Sequence, residues 1–376
     1  MSDRRTRAWI EVDAAALRRN LGRVRDAVGE GVGVIPMVKA DAYGLGIDRM
    51  VGLMEPESPR AYGVATVEEG RRLRELGVER EVLVVAPVPP GSYQDAVESG
   101  LTLCISHLEG LRRLEEAVRR TSIAADFHVE VDTGMGRAGF DWRDAATWGP
   151  VVGAAHGDRI RWTGCFTHLY SADGADPAPT RLQERRLRDT LRAVPAPTED
   201  FLVHVLNSAG ALRVPELGAG AVRPGIFLYG GVAGEGLPAP DPVVTLRARV
   251  VHVREAPPGS TVGYGATHAA RGWERWATLG IGYGDGLPRA LGNRGHALLK
   301  GRRCPMVGRV SMDVTVVNLS NVGGVELGDV ATLVGEDGGD RITLEEVAGL
   351  AGTINYEILT GLSRRLPRVW MDDGAA

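Results

Sequence analysis

The sequence predicts an α/β fold, an N-terminal (β/α)8 barrel of the TIM type followed by a mainly β C-terminal domain. Two textures carry that expectation. From about residue 33 to residue 230, short apolar β-like runs alternate with helical stretches rich in Arg and Glu; after the Pro/Gly-rich "GEGLPAPDP" at residues 234–242, strands follow one another without long helices between them. Eight alternations over roughly 200 residues are what a (β/α)8 barrel requires, whereas a doubly wound open sheet would usually stop sooner. At 376 residues and 44% hydrophobic composition the chain is long enough for a barrel and a second core. The expected domains are residues 1–236 and 237–376.

The eight runs are "VGVIPMVK", "AYGVAT", "EVLVVAP", "LTLCIS", "IAADFHVEVD", "IRWTGCFTH", "FLVHVLN" and "AVRPGIFLYG". Between them, "TVEEGRRLRELG" and "HLEGLRRLEEAVRR" carry apolar residues at helical spacing, with a capping Thr or Ser ahead of the first. Beyond the linker, "VTLRARVVHVRE", "WATLGIGYGDG", "HALLKGRRCPMVGR", "MDVTVVNLS" and "DVATLVGE" read as strands, with one late helix near "LEEVAGLAG". The opening "AWIEVDAAALRRNLGRVRDAV" supplies a strand ahead of the barrel's own count, so residues 1–14 are candidates to pair with the distant β domain.

Composition excludes several classes of function. Net charge is −4 with basic and acidic residues interspersed, which argues against a nucleic-acid partner. No apolar segment follows the arginines of the first residues, and no run approaches the roughly 18 apolar residues of a membrane span. The expectation is a soluble, unexported, cytoplasmic protein without a membrane partner. Cys104, Cys165 and Cys304 sit in apolar surroundings without CxxC spacing, as reduced core thiols do, so neither a disulfide framework nor a metal site is expected.

In such a barrel, residues that act lie where strands end. Lys39 closes the first run, Arg137 follows "VEVDTGMG", His168 closes "WTGCFTH", Asn207 and Ser208 close "LVHVLNS", and the eighth run carries Arg223 with Gly225 and Ile226. A lysine held in an apolar strand loses its proton more easily than a solvated one, which makes Lys39 a candidate Schiff-base nucleophile for a carbonyl cofactor. Alone, each has a plainer reading: Lys39 as a surface lysine, Arg137 as a turn cap, His168 as a hydrogen-bonded core histidine. Their convergence is the signal. The loops "LNSAG" and "RPGIF" suit a phosphate dianion, with the Ser208 hydroxyl, backbone donors at Gly225 and Ile226, and Tyr43 reaching in from the first loop. Pyridoxal phosphate and a sugar phosphate fit these loops equally well.

Nine ordered segments, "VKADAYGLG", "VDTGMGRAGF", "THLYSAD", "NSAG", "VRPGIFLYG", "VGYGATH", "GYGDGLPR", "GRVSMD" and "TINYEILTGLSRRLPR", resemble the successive motifs of bacterial alanine racemase over nearly the full chain. The resemblance implies a fold-type III pyridoxal phosphate enzyme and a head-to-tail homodimer whose active sites lie between one barrel and the partner's β domain. It implies that Lys39 holds the cofactor as a Schiff base and serves one face of the amino-acid Cα, while Tyr264, supplied by the other subunit, serves the opposite face. "GYG" by itself would suggest only a turn tyrosine. The resemblance further implies that Arg223 faces the pyridine nitrogen and that His168 and Arg223 support Tyr264. Arg137 and the Met312 backbone of the partner would hold the substrate carboxylate, Tyr356 the phosphate, and Tyr283 of the partner the entrance. The implied reaction is interconversion of L- and D-alanine for peptidoglycan.

Three positions depart from the family pattern. Glu130 stands where a carbamylated lysine that orients Arg137 is common; it is expected to be the built-in substitute for that negative charge, although its carboxylate has roughly 4 Å less reach, and the plainer reading is an acidic residue paired locally on a strand. Tyr170 replaces a small residue beside His168, and Leu45 replaces a histidine in the lysine motif. The rival readings are a racemase of serine or a broader set of amino acids, a decarboxylase on the same fold, and a non-catalytic pyridoxal phosphate carrier. The last has no use for a β domain bearing "VGYGATH".

Overall fold

A computed structural model of the chain describes residues 6–194 and 200–371. In chain order it opens with β1 (Ala8–Asp13) and α1 (Ala14–Val28), capped by the Asp13 carboxylate, which accepts from Ala16 N–H at 2.8 Å. The barrel strands follow with their helices. They are β2 (Gly33–Val34), α2 (Lys39–Tyr43), α3 (Ile47–Met54), β3 (Tyr62–Val64), α4 (Val67–Glu75), β4 (Val82–Val84), α5 (Tyr93–Glu98), β5 (Thr102–Ile105) and α6 (Leu108–Thr121). The second half comprises β6 (Ala125–Asp132), the short β7 (Phe140–Asp141), α7 (Ala145–Ala155), β8 (Ile160–Phe166), α8 (Ala178–Ala193), β9 (Leu202–Asn207), α9 (Ser208–Arg213) and β10 (Ala221–Arg223).

Eight of these strands form one parallel sheet in the order β2-β10-β9-β8-β6-β5-β4-β3. The sheet curls until its ends meet: Met37 bridges Gly63, and Val38 N–H donates to Gly63 O at 2.8 Å. Gly63 permits this closure, since a Cβ there would lie 2.4 Å from Met37 Sδ. β3, β4 and β5 are buried along their whole length, which explains why their runs read as continuous apolar stretches.

Two details differ from the sequence expectation. The eighth run is a strand only to Arg223: Pro224 has no N–H to give a ladder, and Gly225–Tyr229 form a turn with no helix after it. α1 packs against α9 and α3 and takes the place of the eighth helix. In addition, α6 is capped by His107 rather than Ser106. The His107 Nδ1 accepts from Gly110 N–H at 2.9 Å, which leaves the Ser106 hydroxyl to donate to Glu130 at 2.7 Å.

The C-terminal domain is built on β11 (Val244–Ala256), followed by β12 (Thr261–Val262), β13 (His268–Ala269), β14 (Glu274–Leu279), β15 (His296–Leu299), β16 (Arg302–Pro305), β17 (Thr315–Asn318), β18 (Val330–Asp337) and β19 (Asp340–Ile342). α10 (Leu344–Ala351), α11 (Asn355–Gly361) and β20 (Arg368–Met371) complete it. The main sheet runs β16-β15-β18-β11-β1-β20, so the chain's first strand lies inside it, with Ala8–Val12 antiparallel to Ala248–Val244. Of the opening segment, residues 1–5 lie outside the described residues. α11 was not legible as a helix in "TINYEILTG", where Thr and Ile flank its start and no polar side chain caps it.

Asn20, fully buried on α1, ties the barrel to the segment leading into the second domain. Its amide donates to Asp241 O at 2.9 Å and accepts from Asp241 N–H at 2.8 Å. Asn20→Leu preserves volume and removes both partners. Urea unfolding is expected to show a loss of about 2–3 kcal/mol, the cost of unpaired buried backbone groups.

Candidate active site

A cavity of about 500 Å³ opens at the C-terminal ends of the barrel strands. It is lined by ten of the residues singled out from sequence for chemistry or cofactor binding: Lys39, Tyr43, Arg137, His168, Asn207, Ser208, Arg223, Gly225, Ile226 and Tyr356. Tyr264, Met312 and Tyr283 lie elsewhere, as exposed side chains of the β domain. Their loops are joined: Tyr283 N–H donates to Ser311 O at 2.9 Å and Gly284 N–H to Met312 O at 2.8 Å, while Gly263 and Gly265 pack closely on Arg309. Tyr170 sits over Gly134 and outside the cavity lining, so it does not set the size of the cavity. Leu45 is fully buried in the core.

The backbone after Lys39 is strained. Ala40, Asp41, Ala42 and Tyr43 have φ of 54°, 56°, 53° and 55°, a left-handed turn that costs non-glycine residues roughly 1–2 kcal/mol each. Specific contacts hold it. Ala40 N–H donates to Glu69 Oε1 at 2.6 Å, Ile47 N–H to Asp41 Oδ1 at 2.9 Å, and Tyr43 stacks on Tyr229 with centroids 4.5 Å apart. Arg368, arriving from β20, donates twice to Gly44 O. Four successive left-handed residues in "KADAYG" give no signal in residue type, because only the tertiary contacts pay for them. Glu69 was also missed, although the Thr66–Glu69 capping box was visible as "TVEE"; the same carboxylate that completes the box also takes Ala40 and Ala65 N–H.

Burial lowers the pKa of Lys39, and the Arg137 and Arg223 charges lower it further, with Glu69 opposing. The sequence holds only two lysines, Lys39 and Lys300. Lys300 is ion-paired to Asp329 at 3.2 Å on the far domain, whereas no carboxylate lies within ion-pair distance of Lys39 Nζ among the described residues. Burial, then Arg223, Arg137 and Lys39, push His168 down to about 3, so its ring is neutral at physiological pH.

Arg223 is buried on β10. One terminal nitrogen donates to His204 O at 2.7 Å and contacts His204 Nδ1 at 2.9 Å, and the other donates to Thr167 O at 2.9 Å. No protein acceptor faces its Nε–H among the described residues, so one donor of a fixed cation is left for a ligand at the cavity wall. Phe166 lies under the guanidinium at 5.0 Å. Gly225 N–H donates to Ser208 Oγ at 2.8 Å, which frees the Ser208 hydroxyl hydrogen for the cavity, and a Cβ at Gly225 would lie 2.1 Å from Tyr43 Oη. Asn207 Oδ1 caps α9 through Gly210 N–H. Glu130 bonds Ser106 and makes no ion pair with Arg137 among the described residues; burial raises its pKa. An amine with no ion-pair partner among the described residues, a guanidinium donor and a hydroxyl beside small backbone are groups that could hold a phosphorylated pyridine aldehyde: Lys39 would take its carbonyl, Arg223 its ring nitrogen, and Ser208, Tyr43 and Tyr356 its phosphate.

The lowered Lys39 pKa fixes the sign of a pH effect. Imine formation between the protein and pyridoxal phosphate, followed by absorbance, is expected to rise with pH through a midpoint below that of an ordinary lysine. Arg137→Gln removes one of the charges that disfavour the ammonium, and the midpoint moves up.

The chain and its fold are matched in known proteins. The alanine racemase N-terminal domain model matches residues 12–233 and the alanine racemase C-terminal domain model residues 243–370. The alanine racemase of Halothermothrix orenii is 34% identical over 373 residues, covering 98% of each chain, and that of Symbiobacterium thermophilum is 37% identical over 366 residues, covering 96% of each. Among solved structures, alanine racemase from Streptomyces coelicolor A3(2) superposes with a TM-score of 0.90 at 30% identity, covering 99% of this chain and 100% of that one. Alanine racemase from Bacillus anthracis with bound L-Ala-P gives a TM-score of 0.89 at 29% identity, covering 98% of this chain and 96% of that one. With both domain models matched in order and relatives alike over nearly their whole length, this chain belongs to the alanine racemase family of isomerases.

Proposed function

We propose that the protein interconverts L- and D-alanine with pyridoxal phosphate by a two-base mechanism. The observation that carries this reading is Lys39, a desolvated amine with no carboxylate at ion-pair distance among the described residues, facing the cavity beside Arg137 and Arg223. Pyridoxal phosphate, when bound, supplies a carbonyl for the amine and an electron sink for the Cα carbanion. The remaining chemistry belongs to the chain.

Inversion needs a proton removed from one face of Cα and returned on the other. Lys39 holds the proton on one face. Tyr264 of the partner subunit is the second base, and its exposure on the β domain, beside the linked loops of Tyr283 and Met312, supports a role in a neighbouring copy's site. The protein is then a homodimer whose sites are shared. Arg137 binds the substrate carboxylate at the cavity rim together with the partner's Met312 backbone. Arg223 would hold the ring nitrogen of the cofactor, and its guanidinium, which does not readily surrender a proton, would keep that nitrogen unprotonated. His168, neutral, adds no charge to a region that already holds the Arg137 and Arg223 guanidinium groups. The enzyme would act in the cytoplasm and supply D-alanine for peptidoglycan; among the described residues no helix is long and apolar enough to cross a membrane.

The test is incubation with pyridoxal phosphate and L-alanine in D2O. Deuterated D-alanine should accumulate until the enantiomers are equal. Tyr264→Phe should lose at least about a hundredfold in racemisation, the scale of a positioned general base, while exchange from the lysine face of D-alanine persists. Loss of neither would remove Tyr264 from the mechanism.

A further inference from the structure

The barrel interior holds a chain of polar groups that the proposed reaction does not use. At the end opposite the cavity, Arg60 meets Glu81 Oε2 at 3.0 Å just ahead of β3 and β4. Glu81 Oε1 lies 3.4 Å from His128 Nε2, His128 Nδ1 lies 2.8 Å from His204 Nε2, and His204 Nδ1 lies 2.9 Å from the terminal nitrogen of Arg223. Both histidines are completely buried. The chain thus crosses the barrel from the solvent-facing Arg60 to the guanidinium at the cavity.

Its proton arrangement follows from donor and acceptor rules. A guanidinium only donates, so His204 Nδ1 must accept and its proton sits on Nε2. That Nε2–H must then donate to His128 Nδ1, which places the His128 proton on Nε2, facing the Glu81 carboxylate. The reverse arrangement would set N–H against N–H at Arg223. A doubly protonated ring would do the same at the contact between the histidines. Burial and the neighbouring Arg223 hold His204 far below the ordinary imidazole range, in agreement with a neutral ring. Burial pushes the Glu81 carboxyl up, but His128, Arg60 and Thr102 together outweigh it and leave it below its usual value, an anion.

The rings are held in place as well as in tautomer. Gly164 leaves the room that His128 occupies, since a Cβ there would lie 2.6 Å from His128 Nε2. Phe166 stacks on His204 at 4.9 Å with the planes 7° apart.

We propose that Glu81 is a positioning residue for the site: through His128 and His204 it fixes the orientation and charge of Arg223 from the opposite end of the barrel. The proposal rests on the reading that Arg223 faces the cofactor ring. Among the described residues His128 Nε2 makes no hydrogen bond within the protein, and the Glu81 anion 3.4 Å away is the charge it faces; that charge polarises the two hydrogen bonds in series beyond it and strengthens each acceptor up to His204 Nδ1. Arg223 thereby keeps its terminal nitrogens turned into the barrel and its Nε–H turned to the cavity.

The test uses full-length protein with 15N-labelled histidine, before and after loading with pyridoxal phosphate, as wild type, Glu81→Gln and Arg60→Gln. In the wild type both His128 and His204 should carry their protons on Nε2. Glu81→Gln should move the His204 Nδ1 resonance toward that of an unbonded imidazole nitrogen before any cofactor is added. In the loaded enzyme it should lower kcat about tenfold with KM for alanine unchanged, the scale of one weakened charge-assisted hydrogen bond. Arg60→Gln, which keeps the carboxylate, should match the wild type in both readouts. A His204 proton on Nδ1, a His204 resonance unmoved by Glu81→Gln, or equal losses in both variants would each overturn the proposal; the last would make Glu81 a structural ion-pair partner only. A His204 shift in protein whose loaded wild type does not racemise alanine supports the chain and overturns the proposed reaction, so the two failures are separable.

Discussion

Three cationic groups, Lys39, Arg137 and Arg223, share one cavity wall, and the carboxylate nearest to hand, Glu130, is turned to Ser106. Like charges in a partly dry space repel, and that repulsion organises the site. Burial first, and then this repulsion, lowers the pKa of Lys39 and keeps the His168 ring neutral, and the guanidinium charges make the cavity a receptor for anions. A phosphate and a carboxylate are the two anions that the proposed cofactor and substrate bring.

The fold is arranged to sustain this. Lys39 stands at the point where the first barrel strand breaks into a left-handed turn, and that turn is secured by Glu69 from α4, Tyr229 from the turn after β10, and Arg368 from the C-terminal domain. Each anchor comes from a different part of the chain. The strain at the lysine therefore depends on closure of the barrel and on docking of the second domain. Arg223 is gripped from beneath by backbone carbonyls and His204, so both cations are fixed by the barrel before any ligand arrives.

Much of this was legible in the sequence because it was written in period and position. Eight parallel strands appear as eight apolar runs, and residues at their C-terminal ends converge because a barrel brings those ends together. The β domain was legible from its strand texture. What escaped reading depended on contacts between distant segments. The left-handed turn, the helix of Asn355–Gly361, the His107 cap and the closure at Met37 and Gly63 have no local signature. Glu130 shows the limit of reading a single position: its charge suggested a partner for Arg137, but its reach and the Ser106 hydroxyl decide its bond. His128 and His204 gave no functional signal as isolated histidines in β runs; only the register of β6, β8 and β9 brings them into line.

The central claim is that Lys39 is the amine kept for chemistry, and a chain with only two lysines permits a clean test. The protein loaded with pyridoxal phosphate is reduced with borohydride, digested, and mapped by mass spectrometry. A pyridoxyl group on the Lys39 peptide in stoichiometric yield, with Lys300 unmodified, is the result the account predicts. Label at Lys300, or no label on either lysine of a protein that has bound the cofactor, would contradict it.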